Sequence, residues 1–415
     1  MTGPGVAPFD AAAYPGPRPE GPVLVHHGRV RRVAVDGPAE TPIRPIADPD
    51  TAAEVGHGRV ADDPPVLAAL HEVRWSVAYG SNASPGRLVS KHLTVEGALL
   101  LPARLCGWVP AFEGRRTGYG AVPLTLVPRA GAVTDTWVLG VPPGATDLLD
   151  LTEGRTETLE EEAVGGGTPA GAGTDGVHAA PPGSYRLGGV GEVAVADRFR
   201  LVTGFAYLPG PDTSVQVDED GAWRTWPEVD QHGATEHLER GGPTTAAPHV
   251  ASAVIGPWPA TPLRDLPLFV YGSLRPGRTA WHRIADRVRH LGPTHARGQL
   301  HDSGAGWPAA TIEGSRPAAR RGNARDERVR AVDGPDDDAR RGGEVHGDLL
   351  EIAPGVDVPG LLAELDDYEG APDLFERRAV PVVGAAGPRW ALTYVWAGPR
   401  LPGRPLPGGA WPPAG

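Results

Sequence analysis

The sequence predicts an α+β protein built from two tandem copies of one domain, and three observations carry that reading. The stretches Trp75-Ser76-Val77-Ala78-Tyr79-Gly80-Ser81-Asn82-Ala83-Ser84-Pro85-Gly86-Arg87 and Leu268-Phe269-Val270-Tyr271-Gly272-Ser273-Leu274-Arg275-Pro276-Gly277-Arg278 both run from an apolar strand through Tyr-Gly-Ser to Pro-Gly-Arg. Downstream, Leu149-Asp150-Leu151-Thr152-Glu153-Gly154 matches Leu365-Asp366-Asp367-Tyr368-Glu369-Gly370 at Leu, Asp, Glu and Gly. The motifs keep their order, with Tyr79 and Glu153 74 positions apart and Tyr271 and Glu369 98 apart. The excess has a home: residues 315–343 are charged, Gly-rich and nearly free of large apolar side chains, which reads as a disordered insertion.

Within each copy the expected order is strand, glycine loop, helix, several short strands, a helix ending at Glu-Gly, then late strands. Pro85 and Pro276 suit the first turn of a helix after the loop. Residues 147–151 and 358–368 are the helix candidates before each Glu, with Gly154 and Gly370 as C-terminal caps. Residues 193–207 and 378–396, rich in β-branched and aromatic side chains, supply the late strands. The chain therefore divides into a partly irregular extension (1–70, with a possible hairpin at 23–35), domain 1 (71–210, with a flexible loop at 165–183), a linker (211–264, with a possible short helix at 226–240), domain 2 (265–400) and a Pro/Gly-rich tail (401–415).

Composition bounds the function. The 415 residues include 58 Gly and 47 Pro, yet 40% are apolar and 11 are Trp, so compact domains separated by loose segments are expected. A net charge of −12 lacks the basic stripe that nucleic acid or an anionic membrane requires. One Lys, Lys91, stands among 39 basic residues; beside abundant Ala, Gly and Pro, this Arg bias reads as GC-rich coding. The single Cys106 excludes an intramolecular disulfide and a CxxC metal framework, and sits in an apolar stretch as a core thiol. His71-Glu72 lacks the second His of a zinc helix. Residues 97–112, the longest apolar run, are interrupted by Pro102, Arg104 and Pro110, short of a spanning helix, and no signal peptide is visible. A soluble cytoplasmic protein is expected.

A strand ending in Tyr-Gly-Ser brings backbone close to whatever occupies the turn, because glycine has no Cβ. Successive N–H groups there can hold an anion or oxyanion. A Glu brought to such a concavity can take and return a proton, provided burial raises its pKa toward neutrality.

These motifs resemble the gamma-glutamylcyclotransferase-like (AIG2-like) superfamily. The second copy is the fuller match: LFVYGSLRPG (268–277), GWPAATIEG (306–314), VHGDLLEI (345–352) and LDDYEGAPDLFERR (365–378) resemble the gamma-glutamylamine cyclotransferase branch. The first copy has YGSN and YGAVPLTLVP (119–128), but an acidic run at Glu157, Glu160, Glu161 and Glu162 replaces the FERR block. The resemblance implies a mixed β-barrel with flanking helices, no cofactor, and release of an amine and 5-oxoproline from a small gamma-glutamyl compound. It implies Glu369 and Glu153 as general acid/bases, with Tyr271, Gly272, Ser273 and Leu274, and Tyr79, Gly80, Ser81 and Asn82, as substrate-holding loops. A non-catalytic binding module, or another acyl transfer or amide cleavage in the same pocket, are the alternatives. The second copy is expected to be the better catalyst.

Overall fold

The computed structural model describes residues 9–35, 44–45, 73–155, 180–181, 183–249, 254, 257–261, 263–315, 343–385 and 387–411. Nearly all of the expected flexible loop (165–183) and insertion (315–343), and the acidic run after Glu153, lie outside them. The chain forms two units, Met1–Arg264 and Asp265–Gly415.

The first unit opens with a hairpin of β1 (Val23–His26) and β2 (Arg29–Ala34), extended by the two-residue β3 (Arg44–Pro45). Its body is a closed barrel of β4 (Arg74–Ala78), β5 (Ala98–Phe112), β6 (Leu124–Val141), β7 (Tyr185–Val195) and β8 (Phe199–Pro209). The ladder runs β4–β6–β5–β7–β8 antiparallel and closes through one parallel contact, Val77 against Ala206. Closure removes the exposed edges an open sheet would present. β1 pairs along β5, so the hairpin widens the sheet. Two prolines do not break β5; Gly107, at φ +79, absorbs a register shift between Cys106 and Trp108 as a bulge. Cys106 is half-buried there, and burial pushes its thiol up to about 11.

Helix α1 (Pro85–Ser90) follows the first loop, with Pro85 at its opening position and Leu88 fully buried. Helix α2 (Thr146–Glu153) follows β6 and ends on Gly154 at φ +67. A β-carbon at Gly154 would lie 2.2 Å from the Pro181 carbonyl oxygen, so the turn demands glycine twice over. The stretch between the repeats is folded over much of its length: β9 (Ser214–Gln216) and β10 (Thr244–Ala246) pair, and α3 (Gln231–Glu239) lies between them, capped by Asp230. Val215 and Ala234 are fully buried in the first unit's cores, so this part of the expected linker packs as domain structure. A short strand, β11 (Leu263–Asp265), marks where the second unit begins.

The second unit repeats the barrel strand for strand. β12 (Leu268–Val270), β13 (Val288–Asp302), β15 (Gly343–Ile352), β16 (Phe375–Gly384) and β17 (Gly387–Trp396) take the places of β4 to β8, with β14 (Pro308–Ile312) between β13 and β15 in the chain. Leu268 against Leu392 is again the parallel contact that closes it. Helix α4 (Val358–Glu369) follows β15 and ends on Gly370 at φ +64. β18 (Arg404–Pro405) pairs β13, and Leu406 and Trp411 pack on the core, so the expected tail is partly structured. After the second loop, Pro276 does not start a helix. Gly277 at φ +76 turns the chain, and a single 3₁₀ turn at Trp281–Arg283 is all that forms. Gly86 continues the helix after Pro85, whereas Gly277 leaves it for the left-handed region.

A shared lock fixes each Glu-bearing helix to its barrel. Tyr207 on β8 donates its hydroxyl hydrogen to Asp150 at 2.7 Å, and Tyr394 on β17 does the same to Asp366 at 2.7 Å. Each Asp also holds a guanidinium: Arg155 at 3.0 Å in the first unit, Arg377 at 3.1 Å in the second. Hydrogen bonds to charged groups are the stronger kind, so Tyr394→Phe is expected to cost about 1.5–3 kcal/mol in denaturant unfolding. A cost under ~0.5 kcal/mol would show the lock to be incidental.

Candidate active sites

The loop residues singled out from the sequence gather with their Glu in each unit. In the first, Tyr79, Gly80, Ser81, Asn82 and Glu153 line one cavity of about 150 Å³. In the second, Tyr271, Gly272, Ser273, Leu274 and Glu369 line one of about 190 Å³. The tyrosines serve the frame: Tyr79 donates to the Tyr207 carbonyl oxygen, and Tyr271 to that of Tyr394 at 2.6 Å. Both are buried, and their hydroxyls are spent on the strand that carries the helix lock. What these residues offer a ligand is a ring edge and the backbone that follows.

In the second unit, the loop is tied to β15 by Arg275, whose guanidinium pairs with Asp348 at 2.6 Å; His290 meets the same carboxylate at 2.8 Å. Among the described residues, the backbone N–H groups of Gly272, Ser273 and Leu274 meet no protein acceptor. Ser273 Oγ and the Tyr368 hydroxyl share a hydrogen bond of 2.9 Å. Glu369 has no cationic partner among the described residues, and burial alone pushes its carboxyl from 4.5 up to about 7.

The first unit is built differently around the equivalent carboxylate. Lys91, the residue capping the end of α1, forms an ion pair with Glu153. Its ammonium also donates to Asn82 Oδ1 at 2.7 Å, while Asn82 Nδ2 donates to Glu153 Oε1 at 3.1 Å. The triangle is closed, and Lys91 is only 3% exposed. Burial lowers the Lys91 pKa, and the adjacent Glu153 charge opposes that shift. The sequence marks this lysine only as a rarity of composition.

It marks no site role for the extension either. Arg18 donates to the Gly80 and Tyr79 carbonyl oxygens, both at 2.8 Å, and Tyr14 lines the cavity while its hydroxyl accepts from the Leu124 N–H at 3.0 Å. Behind the wall, fully buried Glu113 accepts from Tyr185 at 2.5 Å and pairs with Arg115; burial pushes it up to about 7. Among the described residues, no group of three or more His, Cys, Asp and Glu side chains is placed to hold a metal. No helix there is long and apolar enough to cross a membrane.

Two closed mixed barrels, each with a glycine loop and a helix-terminal carboxylate lining one cavity, define a tandem pocket protein of the α+β class. Residues 338–413, in the second unit, match the family described as gamma-glutamyl cyclotransferase, AIG2-like, and the first unit repeats the second's barrel. No curated protein matches the chain. Solved structures similar to it include YkqA of Bacillus subtilis, at 20% identity over 35% of this chain and 39% of that one, with a TM-score of 0.23. An AIG2-like protein of Mus musculus matches at 18% identity over 36% and 90%, with a TM-score of 0.24. A structure described as gamma-glutamyl cyclotransferase matches at 15% identity over 45% and 94%, also at 0.24. The chain spans less than half of YkqA.

Proposed function

We propose that the second unit releases 5-oxoproline and a free amine from a small gamma-glutamyl compound by intramolecular aminolysis. The observation that carries this is Glu369: a half-buried carboxyl without a cation among the described residues, lining one cavity with a glycine loop whose N–H groups are uncommitted. Glu369 takes a proton from the substrate's α-ammonium. The freed amine attacks the γ-carbonyl carbon, and the loop N–H groups hold the oxyanion. As the bond to the departing nitrogen breaks, the carboxyl returns its proton there, and the ring nitrogen sheds its second proton to solvent. Attack within one molecule provides much of the proximity that two separate reactants would need.

The first unit is read as a binding pocket. Lys91 pairs with the carboxylate that would otherwise act as base, and Asn82 closes the triangle. Incubating the full chain with a panel of gamma-glutamyl compounds and assaying 5-oxoproline tests the whole reading; no release from any of them overturns it.

The Glu369 carboxyl sets the pH behaviour. Catalysis needs the carboxylate, so kcat/KM is expected to rise with pH through a midpoint near 7. Stability runs the other way. The folded pKa lies above the unfolded one, so the folded state holds the proton more tightly. That contribution is complete below about pH 4.5 and is lost as pH rises through about 7. Parallel pH–rate and pH–denaturation curves for wild type and Glu369→Gln check both; identical curves for the two proteins would remove Glu369 from either role.

A further inference from the structure

The lining of the second cavity divides by chemistry. Glu369 is the sole charged side chain among its described lining residues, and it sits with the glycine loop. Apart from the hydroxyls of Ser273, Thr393 and the tyrosines and the Trp307 indole N–H, the other lining side chains are apolar. Trp307, on the turn before β14, stacks on Trp396 with ring centroids 5.7 Å apart and planes 23° from parallel. Phe375 meets both rings edge-on, at 5.7 Å from Trp307 and 5.6 Å from Trp396. The Trp396 indole N–H is spent on the Arg400 carbonyl oxygen at 2.7 Å. Leu374, 40% exposed, continues this surface to the solvent.

We infer that the leaving half of the substrate is an uncharged, apolar amine, aromatic or branched aliphatic, seated on Trp307, Phe375 and Leu374. The inference rests on the proposed reaction. The gamma-glutamyl half carries an ammonium and a carboxylate, so it belongs with Glu369 and the loop N–H groups. That leaves the aromatic wall for the amine. A carboxylate on the amine, as in a gamma-glutamyl amino acid, would lose water there without gaining a cation, since none lines the cavity. Arg283, whose guanidinium lies over the Tyr368 ring at 4.5 Å, is not part of the lining, and Arg275 and Arg377 are paired with Asp348 and Asp366. An aromatic amine instead gains stacking and buried area on the same rings.

The test compares gamma-glutamylbenzylamide with gamma-glutamylglycine on the full chain. The benzylamide is expected to have the higher kcat/KM by at least about tenfold, the scale that a hydrophobic pocket provides. Trp307→Ala should bring the ratio toward one, mainly by raising KM for the benzylamide. Leu374→Arg, at a solvent-facing position, should shift the ratio toward gamma-glutamylglycine by several-fold. Equal rates for the two compounds in wild type, or an unchanged ratio in both variants, overturns the inference while leaving the reaction standing. If neither compound yields 5-oxoproline, it is the proposed reaction that fails for this pair. Tryptophan fluorescence titration then still decides the wall: tighter binding of the benzylamide supports it, and equal binding overturns it.

Discussion

Replacing Glu369 with Gln should cut 5-oxoproline release by about 10²–10⁴-fold, the loss typical of a missing general base. The amide nearly matches the carboxyl in size and reach but cannot accept the ammonium proton. Nothing else in the lining substitutes for it, since no other charged side chain faces that cavity among the described residues. Folding should be spared. At neutral pH the buried carboxylate is a cost to the folded unit, so the neutral amide leaves stability unchanged or slightly raised. A large fall in melting temperature would instead assign Glu369 a structural role. Glu153→Gln should have the smaller effect on release. If Glu153→Gln abolished the activity and Glu369→Gln left it intact, the ranking of the two units would be reversed.

The second large effect is on stability. Lys91→Met should destabilise the first unit by about 3–5 kcal/mol, because removing one partner of a buried ion pair leaves the other charge uncompensated. The pair qualifies: the Lys91 side chain is 3% exposed and that of Glu153 14%. The double variant Lys91→Met with Glu153→Gln should recover much of the loss, since no charge is then left unpaired. Denaturant unfolding of the two singles and the double closes the cycle. Simple additivity would mean that the ion pair contributes nothing.

The repeat, the four helix and loop positions it marks, and both Glu residues were legible because each is local. A Gly after Glu needs only the left-handed turn that ends a helix, and both Gly154 and Gly370 adopt it. What the sequence hid depends on contacts between distant segments. Pro276 looks like Pro85, but the glycine that follows is helical in the first copy and left-handed in the second, a choice identical letters do not reveal. The packing of residues 214–246 into the first unit rests on scattered apolar residues, Val215, Trp226, Val229, Ala234 and Leu238 among them, whose partners lie in distant parts of the chain. Arg18 reaches the first loop from 61 residues away in sequence. Asp150 and Asp366 were visible as repeated letters, yet their role appears only when Tyr207 and Tyr394 arrive from the far strand. Lys91 is the plainest case. Its rarity reads as composition, yet being unique is equally compatible with a specific place beside Glu153.

That same uniqueness turns the first pocket into its own reporter. Apart from the amino terminus, the chain carries a single primary amine, and it is sealed against a carboxylate. An amine-acylating reagent therefore has one internal target, reachable only while the Lys91–Glu153 contact is open. The mass gained over time by the peptide that carries Lys91 follows those openings, and a ligand that holds the pocket shut registers as slower labelling without needing a dye, a tag or an assay of turnover.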